Sequence, residues 1–448
     1  GDLDKISKFF HMMRIILEER KALFRGGNYS QYVQVHGISL PAIVVFIDNY
    51  ASFKEKTEEQ YEEDVIRLSK EGVNHGIFLV ISGNGVGMND ITSRVFENVG
   101  TVLCLQLQDK YAYADLLHSN QIDVLPESGI KGRGLAFYGK QILEYQTALA
   151  VSAENDYQRM EVIREVCMDM QKTWEGKTAR RIPEIPQKPV WSAFRETEEF
   201  EKASMDVHLL PVAYDASNAE VYGIKLRYTY CYTIYGSARS GKTNLLRISI
   251  QSALEKSSVV CVIDSPANDL KNYSSDEKVT YASDEDSVFE LLKGMMPVFK
   301  TRNQKKNQML EAGCDDDEIF ASISRETPYF IFISDLVWFV DFIYNAKLDM
   351  RSFLENIIAK GSLHNIYFIG AVPLENRSDA AGYPIYETFV GYKTGIHLGG
   401  KVSENPILNF DYMSYAEKEK AEKTGTGSIP ETEAEEAARS VVIPLARR

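Results

Sequence analysis

The chain has 448 residues, enough for two or three domains that each bury a core. Its formal net charge of −14 argues against a protein whose main work is gripping a phosphodiester backbone, and against adsorption to an anionic membrane. Five scattered cysteines without CxxC spacing and seven histidines without HxxxH or HxH pairs argue against a disulfide framework or a zinc cluster, and for reduced, buried thiols.

In chain order, Ile43–Phe53 reads as an apolar strand ending in Asp48. Lys54–Lys70 reads as a solvated helix face, with a second strand in Lys70–Gly83 and a third at Val102–Gln106. A glycine turn at Gly132 opens an expected hairpin through Ala150. Asp156–Thr173 is helical by spacing, and Thr173–Trp191, with three prolines, is extended and stiff.

The same succession then returns. Tyr329–Ala346 holds two aspartates and reads as a buried strand running into a helix rather than as a membrane span. Its strand ends in Asp335, and further strands are expected in Lys360–Val372 and Gly395–Leu398, before a glycine turn and hairpin from Gly425. Asp48 maps to Asp335 at an offset of 287 residues, Ile77 to Ile366 at 289, and Gly132 to Gly425 at 293. Two related modules with a period of about 290 residues are expected. Moved back one period, Lys242 falls about 50 residues before Gly1, so the first module is expected to lack its phosphate-binding half and the chain to be part of a longer protein. Strands alternating with helices predict an α/β architecture with largely parallel sheets flanked by helices.

The second module carries Gly236-Ser237-Ala238-Arg239-Ser240-Gly241-Lys242-Thr243, which fits the P-loop pattern GxxxxGK[ST]. The aromatic and β-branched run Tyr228–Tyr235 before it reads as a strand, and the apolar spacing after it as a helix. In this pattern backbone N–H groups cradle phosphates, Lys242 reaches the terminal ones and the Thr243 hydroxyl serves Mg²⁺, so ATP and Mg²⁺ are the expected cofactors.

Asp335 is read as the carboxylate partner of Mg²⁺, directly or through water; the alternative is a cap on the next helix. Asp264 at the end of Val259–Asp264 reads as a structural or supporting carboxylate. Hydrolysis of this kind needs a second acid to activate water, yet Asp335 is flanked by Ser334 and Leu336, and Asp48 is followed by Asn49 and Tyr50. Asp341 and Glu375 are substitutes only if the fold brings them near. The basic run Lys300–Lys306 reads as a solvated stretch or a partner contact, Tyr415–Lys423 as an exposed helix, and Arg94 as a surface ion pair rather than an arginine finger.

Together, Leu17–Phe24, Leu40–Tyr50, Gly76–Gly83, Gly132–Ala150, Ile182–Pro186, Leu209–Asp215, the P-loop and Leu398–Leu408 resemble the FtsK/SpoIIIE superfamily of translocation ATPases. Within it the chain is similar to the EssC/EccC motor ATPase family of type VII secretion, in its Firmicute form. The resemblance implies tandem P-loop NTPase modules of RecA/FtsK-like fold. Residues 1–152 would be the later part of one module, 153–190 a helix and proline-rich linker, and 191–448 a complete module. It further implies a membrane-anchored protein whose ATPase modules lie on the cytoplasmic face and drive export of WXG100-like proteins. The other type VII membrane components would be partners, hexamers would form, and the last module would recognise substrate or regulate.

The missing acids predict weak hydrolysis. The absence of a Gln sensor at Ser82–Gly85 and Ala371–Glu375, and of a following winged helix, makes the alternative, a DNA translocase, the lesser reading.

Overall fold

In a computed structural model the chain is described from residue 2 to 447, except 38, 88, 89, 120, 121, 177, 178, 412 and 431–437. Two expectations from the sequence fall partly outside that range: the tip of the last hairpin (431–437), and Lys177 and Thr178 of the linker. The chain divides into two compact units, Gly1–Ile182 and Pro183–Arg448.

The first unit opens with the helix Leu3–Phe24, capped by Asp2. Phe10, Met13 and Leu17 recur at helical spacing and are buried with Val45, Ile47, Val65 and Ile77. Strands β1 (Ile43–Ile47) and β2 (Ile77–Ile81) are parallel, Ile43 facing Ile77 through Ile47 facing Ile81. A separate antiparallel meander follows: β3 (Leu103–Leu105), β4 (Arg133–Tyr138) and β5 (Gln141–Gln146). The helix Asp156–Thr173 has no buried residue and leaves Cys167 exposed, unlike Cys104, Cys231 and Cys261.

The second unit is built on one ten-stranded sheet. Its strands are β6 (Leu209–Asp215), β7 (Val221–Lys225), β8 (Cys231–Gly236), β9 (Val259–Ile263) and β10 (Val279–Ala282), then β11 (Tyr329–Ile333), β12 (Ile366–Pro373), β13 (Thr394–Gly400), β14 (Glu422–Ile429) and β15 (Arg439–Val442). The order is β10-β9-β11-β12-β8-β13-β14-β15-β6-β7. The first six strands run parallel; the rest attach antiparallel because the hairpins β6–β7 and β14–β15 turn the chain back along the edge. β8 and β12 are near-continuous apolar runs because each face meets a separate core. On one face the helix Lys242–Glu255 supplies Leu245, Leu246 and Ile250; on the other the helix Glu285–Glu311 supplies Leu291, Leu292 and Met295. The run Tyr329–Ala346 is β11 followed by the helix Leu336–Asn345, and among the described residues no helix is long and apolar enough to cross a membrane.

The repeat is visible in the backbone. Ile43 faces Ile77 as Tyr329 faces Ile366, and Leu105 faces Gly134 as Leu398 faces Gly427. Even a buried arginine recurs. Arg20 donates to the carbonyls of His75, Gly76 and Pro41 at 2.7–3.1 Å, and Arg302 to those of His364, Asn365 and Thr327 at 2.7–3.1 Å. Each guanidinium ties its long helix to the loops that open two neighbouring strands.

This pairing corrects the expected register by one residue. Val45 and Ile47 face the first unit's long helix as Ile331 and Ile333 face the second unit's, an offset of 286. An offset of 287 would put them on opposite faces. The counterpart of Asp335 is therefore Asn49, not Asp48. Both cap the helix that follows, Asn49 accepting from Ser52 N–H at 3.2 Å and Asp335 from Trp338 N–H at 3.0 Å. Asp48 is exposed and accepts from the Ser82 hydroxyl.

Two lesser expectations also change. The basic run Lys300–Lys306 is used internally: Arg302 is buried, Lys305 donates to Glu326, and Lys306 donates to the carbonyls of Lys360 and Ser362. In Tyr415–Lys423 only Tyr415–Glu419 is helical, since β14 begins at Glu422. Arg94 does pair with exposed Glu63, at 2.6 Å.

Candidate nucleotide site

Strand β8 delivers Gly236 to the edge of a tight loop that ends where the helix Lys242–Glu255 begins. Gly236 has no alternative here: a Cβ would lie 2.2 Å from Ser240 Oγ and 2.8 Å from the Leu398 carbonyl. Gly241, with φ +112°, makes the turn into the helix in a conformation that side-chain-bearing residues avoid. Ala238 and Arg239 face solvent, while Ser240 is buried and its hydroxyl has no partner within the protein. Thr243 stands half-buried in the first helical turn. The loop is backed by Gly399, whose missing Cβ would approach that of Ser240 at 3.4 Å, and by Gly425, whose N–H donates to the Ser240 carbonyl at 3.3 Å.

Lys242 Nζ turns back and donates to the carbonyls of Gly236 and Ser237, at 2.8 and 2.7 Å. Burial lowers its pKa, against the opposing fields of Glu375, Asp335 and Asp269. The sheet order explains that cluster. β8 is flanked by β12, and β12 by β11, so the residues following all three strands converge at one end.

Asp335, after β11, is half-buried, and burial raises its carboxyl pKa against the pull of the Trp338 and Val337 N–H groups and of Lys242. It caps the helix that follows, and its charge acts on the P-loop lysine. Its neighbours explain why no second acid sits beside it. Ser334 Oγ accepts from Ser265 N–H at 2.8 Å, and Leu336 is fully buried in the core.

Asp264 is fully buried. It accepts from Leu270 N–H and the Tyr281 hydroxyl, both at 2.9 Å, and so shapes the loop carrying Asp269. Arg247, on the P-loop helix, donates to the Asp269 carbonyl at 2.6 Å. Asp341 is not among the charges acting on Lys242 or Asp335; it is exposed six residues farther along and accepts from Asn345. Glu375 does reach the loop: its Oε1 accepts from Ala238 N–H at 2.6 Å. Nothing local in the sequence marks Asp269. Only the pairing of β9 with β11 brings it here.

No family model matches the chain. It is 27% identical over 287 residues to the type VII secretion system protein EssC of Staphylococcus aureus (strain MRSA252), covering 63% of this chain and 19% of that protein. The fold is that of EssC ATPases 2 and 3 from Geobacillus thermodenitrificans (TM-score 0.69, 19% identity, 99% of this chain and 79% of the other). It is also that of Thermomonospora curvata EccC ATPases 2 and 3, a structure in complex with a signal sequence peptide (TM-score 0.57, 18% identity, 100% of this chain and 78% of the other). The chain spans about a fifth of the length of the curated relatives it matches. The chain is thus similar in sequence to the EssC/EccC proteins of type VII secretion, and it is an α/β protein with the fold of their ATPases 2 and 3.

Proposed function

We propose that the chain is the nucleotide-binding part of a type VII secretion motor, and that its second unit binds ATP with Mg²⁺ at Gly236–Thr243. The observation that carries this reading is the strand–loop–helix around Lys242, whose ammonium is acted on by the charges of Glu375, Asp335 and Asp269. Loop amides and Lys242 would hold the phosphates, and Thr243 and Asp335 would share Mg²⁺ with them. Bound in this way, the ion would offset the negative charge of the triphosphate. The buried, unpartnered Ser240 hydroxyl is a polar group that suits such a ligand.

Hydrolysis is slow in this reading, because Leu336 fills the position where a water-activating acid would stand. Bound nucleotide then serves to hold a conformation or a substrate-docking state.

The exposed sheet face of the first unit supports the half-module reading of residues 1–152. Val44, Phe46, Phe78 and Val80 are 50, 73, 36 and 47% exposed. Their counterparts Phe330, Phe332, Tyr367 and Ile369 are at most 2% exposed, packed in the core with the P-loop helix. A groove of about 600 Å³ runs along β1 where β9 lies in the second unit. The linker 153–190 and the complete module 191–448 follow in the same reading. In the full protein these modules would work as a hexamer on the cytoplasmic face of the membrane, beside the other type VII components. Their substrates would be WXG100-like proteins, consistent with the signal sequence peptide bound by the T. curvata relative.

The test is binding of labelled ATP with Mg²⁺ to the wild-type chain and to Lys242→Ala. Loss of at least ~10-fold in affinity in the variant is expected. Equal binding would overturn the reading, and turnover raised several-fold by DNA would favour the translocase instead.

A further inference from the structure

We propose that Glu375 is a built-in anion that occupies the phosphate cradle, so that a nucleoside triphosphate binds only by displacing it. The inference rests on the ATP-site reading and names a regulation of that same site.

P-loop amides are arranged to receive phosphate oxygens, and a carboxylate oxygen meets the same donors. Glu375 Oε1 lies 2.6 Å from Ala238 N, a hydrogen bond with an ionised acceptor. The contact is placed by the sheet. β12 pairs with β8 up to Pro373 opposite Gly236, and Leu374 N–H donates to the Gly236 carbonyl at 3.3 Å. Glu375 therefore emerges one residue beyond a fixed junction and reaches across the mouth of the loop.

Lys242 completes the arrangement. Its three donors would ordinarily face terminal phosphates, yet two already meet the carbonyls of Gly236 and Ser237. The loop thus has a protein anion on an amide and its own cation on its carbonyls. The carboxyl pKa of Glu375 is lowered; burial opposes this, but backbone N–H groups, Ala238 among them, and the Lys242 charge outweigh it. The group is a carboxylate at neutral pH, and an incoming phosphate meets like charge at the Ala238 amide. Entry requires Glu375 to swing out, and the third Lys242 donor remains for a phosphate oxygen.

The geometry separates this role from the others a carboxylate might have. A water-activating base or a Mg²⁺ ligand assists the bound nucleotide, so removing its charge would weaken binding or turnover. A displaced anion opposes binding, so removing its charge tightens it. Glu375 is exposed and outside the core, so its replacement leaves folding intact.

The experiment titrates a fluorescent, non-hydrolysable ATP analogue with Mg²⁺ into the 448-residue wild type, Glu375→Gln, Glu375→Ala and Lys242→Ala, with thermal unfolding of each ligand-free chain as the folding control. Both Glu375 variants are expected to bind roughly 3- to 10-fold more tightly than wild type, with unchanged unfolding midpoints. Affinity that is equal or weaker in both variants, while Lys242→Ala loses binding, overturns the displaced-anion proposal and leaves the ATP site standing. Wild type and Lys242→Ala binding alike overturns both.

Discussion

At the scale of single residues, the arginine clamps hold the architecture. Arg302 is 4% exposed and donates to three carbonyls, of which the Asn365 carbonyl also accepts from Tyr329 N–H at 3.0 Å. Arg302→Met leaves the His364 and Thr327 carbonyls without this donor and removes the bond to Glu326, and is expected to cost ~2–4 kcal/mol in chemical denaturation. Arg302→Lys should recover less than half of that, because an ammonium cannot reproduce the planar fork. Recovery to wild-type stability would contradict the clamp.

Beside it, His364 is fully buried between Gly361 O and Asn303 Oδ1. Burial, with the nearby Lys306 and Arg302 charges, brings its pKa down from 6.5 to about 4. Between those values the unfolded chain takes up a proton that the folded chain refuses. Stability is therefore full above about pH 6.5 and falls as pH drops towards 4, by up to ~3 kcal/mol from this ring alone. Denaturation curves across that window should be flatter for His364→Phe than for wild type, and equal slopes would sink the assignment.

At the scale of elements, the two sheets use the same strands for different surroundings. Phe332 on β11 is fully buried against the P-loop helix side, whereas its counterpart Phe46 on β1 is 73% exposed. Phe332→Ala should cost ~3–5 kcal/mol, and Phe46→Ala within ~0.5 kcal/mol of nothing, when each unit's unfolding is followed separately. A large cost at Phe46 would mean that something covers that face. Individual strands, the P-loop and the strand-to-helix passage at Tyr329–Ala346 were legible because each has a local signature: an apolar run, paired glycines before a lysine, a change of period. The one-residue register was not. Asp48 and Asp335 look alike in sequence, but which face a strand residue takes is set by packing against the long helices. The convergence of Asp269 and Glu375 on Lys242 was hidden for a similar reason, since it depends on the order β9-β11-β12-β8.

At the scale of the whole molecule, a single nucleotide site is proposed for a chain with two related units. The first unit has counterparts of β11 to β15; among its described residues it has none of the P-loop strand or helix, and Asn49 stands where the second unit has Asp335. The tandem arrangement was readable from spacing alone. The antiparallel half of the large sheet was not, because β6–β7 and β14–β15 join it only through tertiary pairing.

The most direct measurement is a calorimetric titration of the 448-residue chain with the same non-hydrolysable ATP analogue and Mg²⁺. One nucleotide bound per chain is expected, and its binding is lost in Lys242→Ala. Two nucleotides per chain, or one that survives Lys242→Ala, would contradict that expectation.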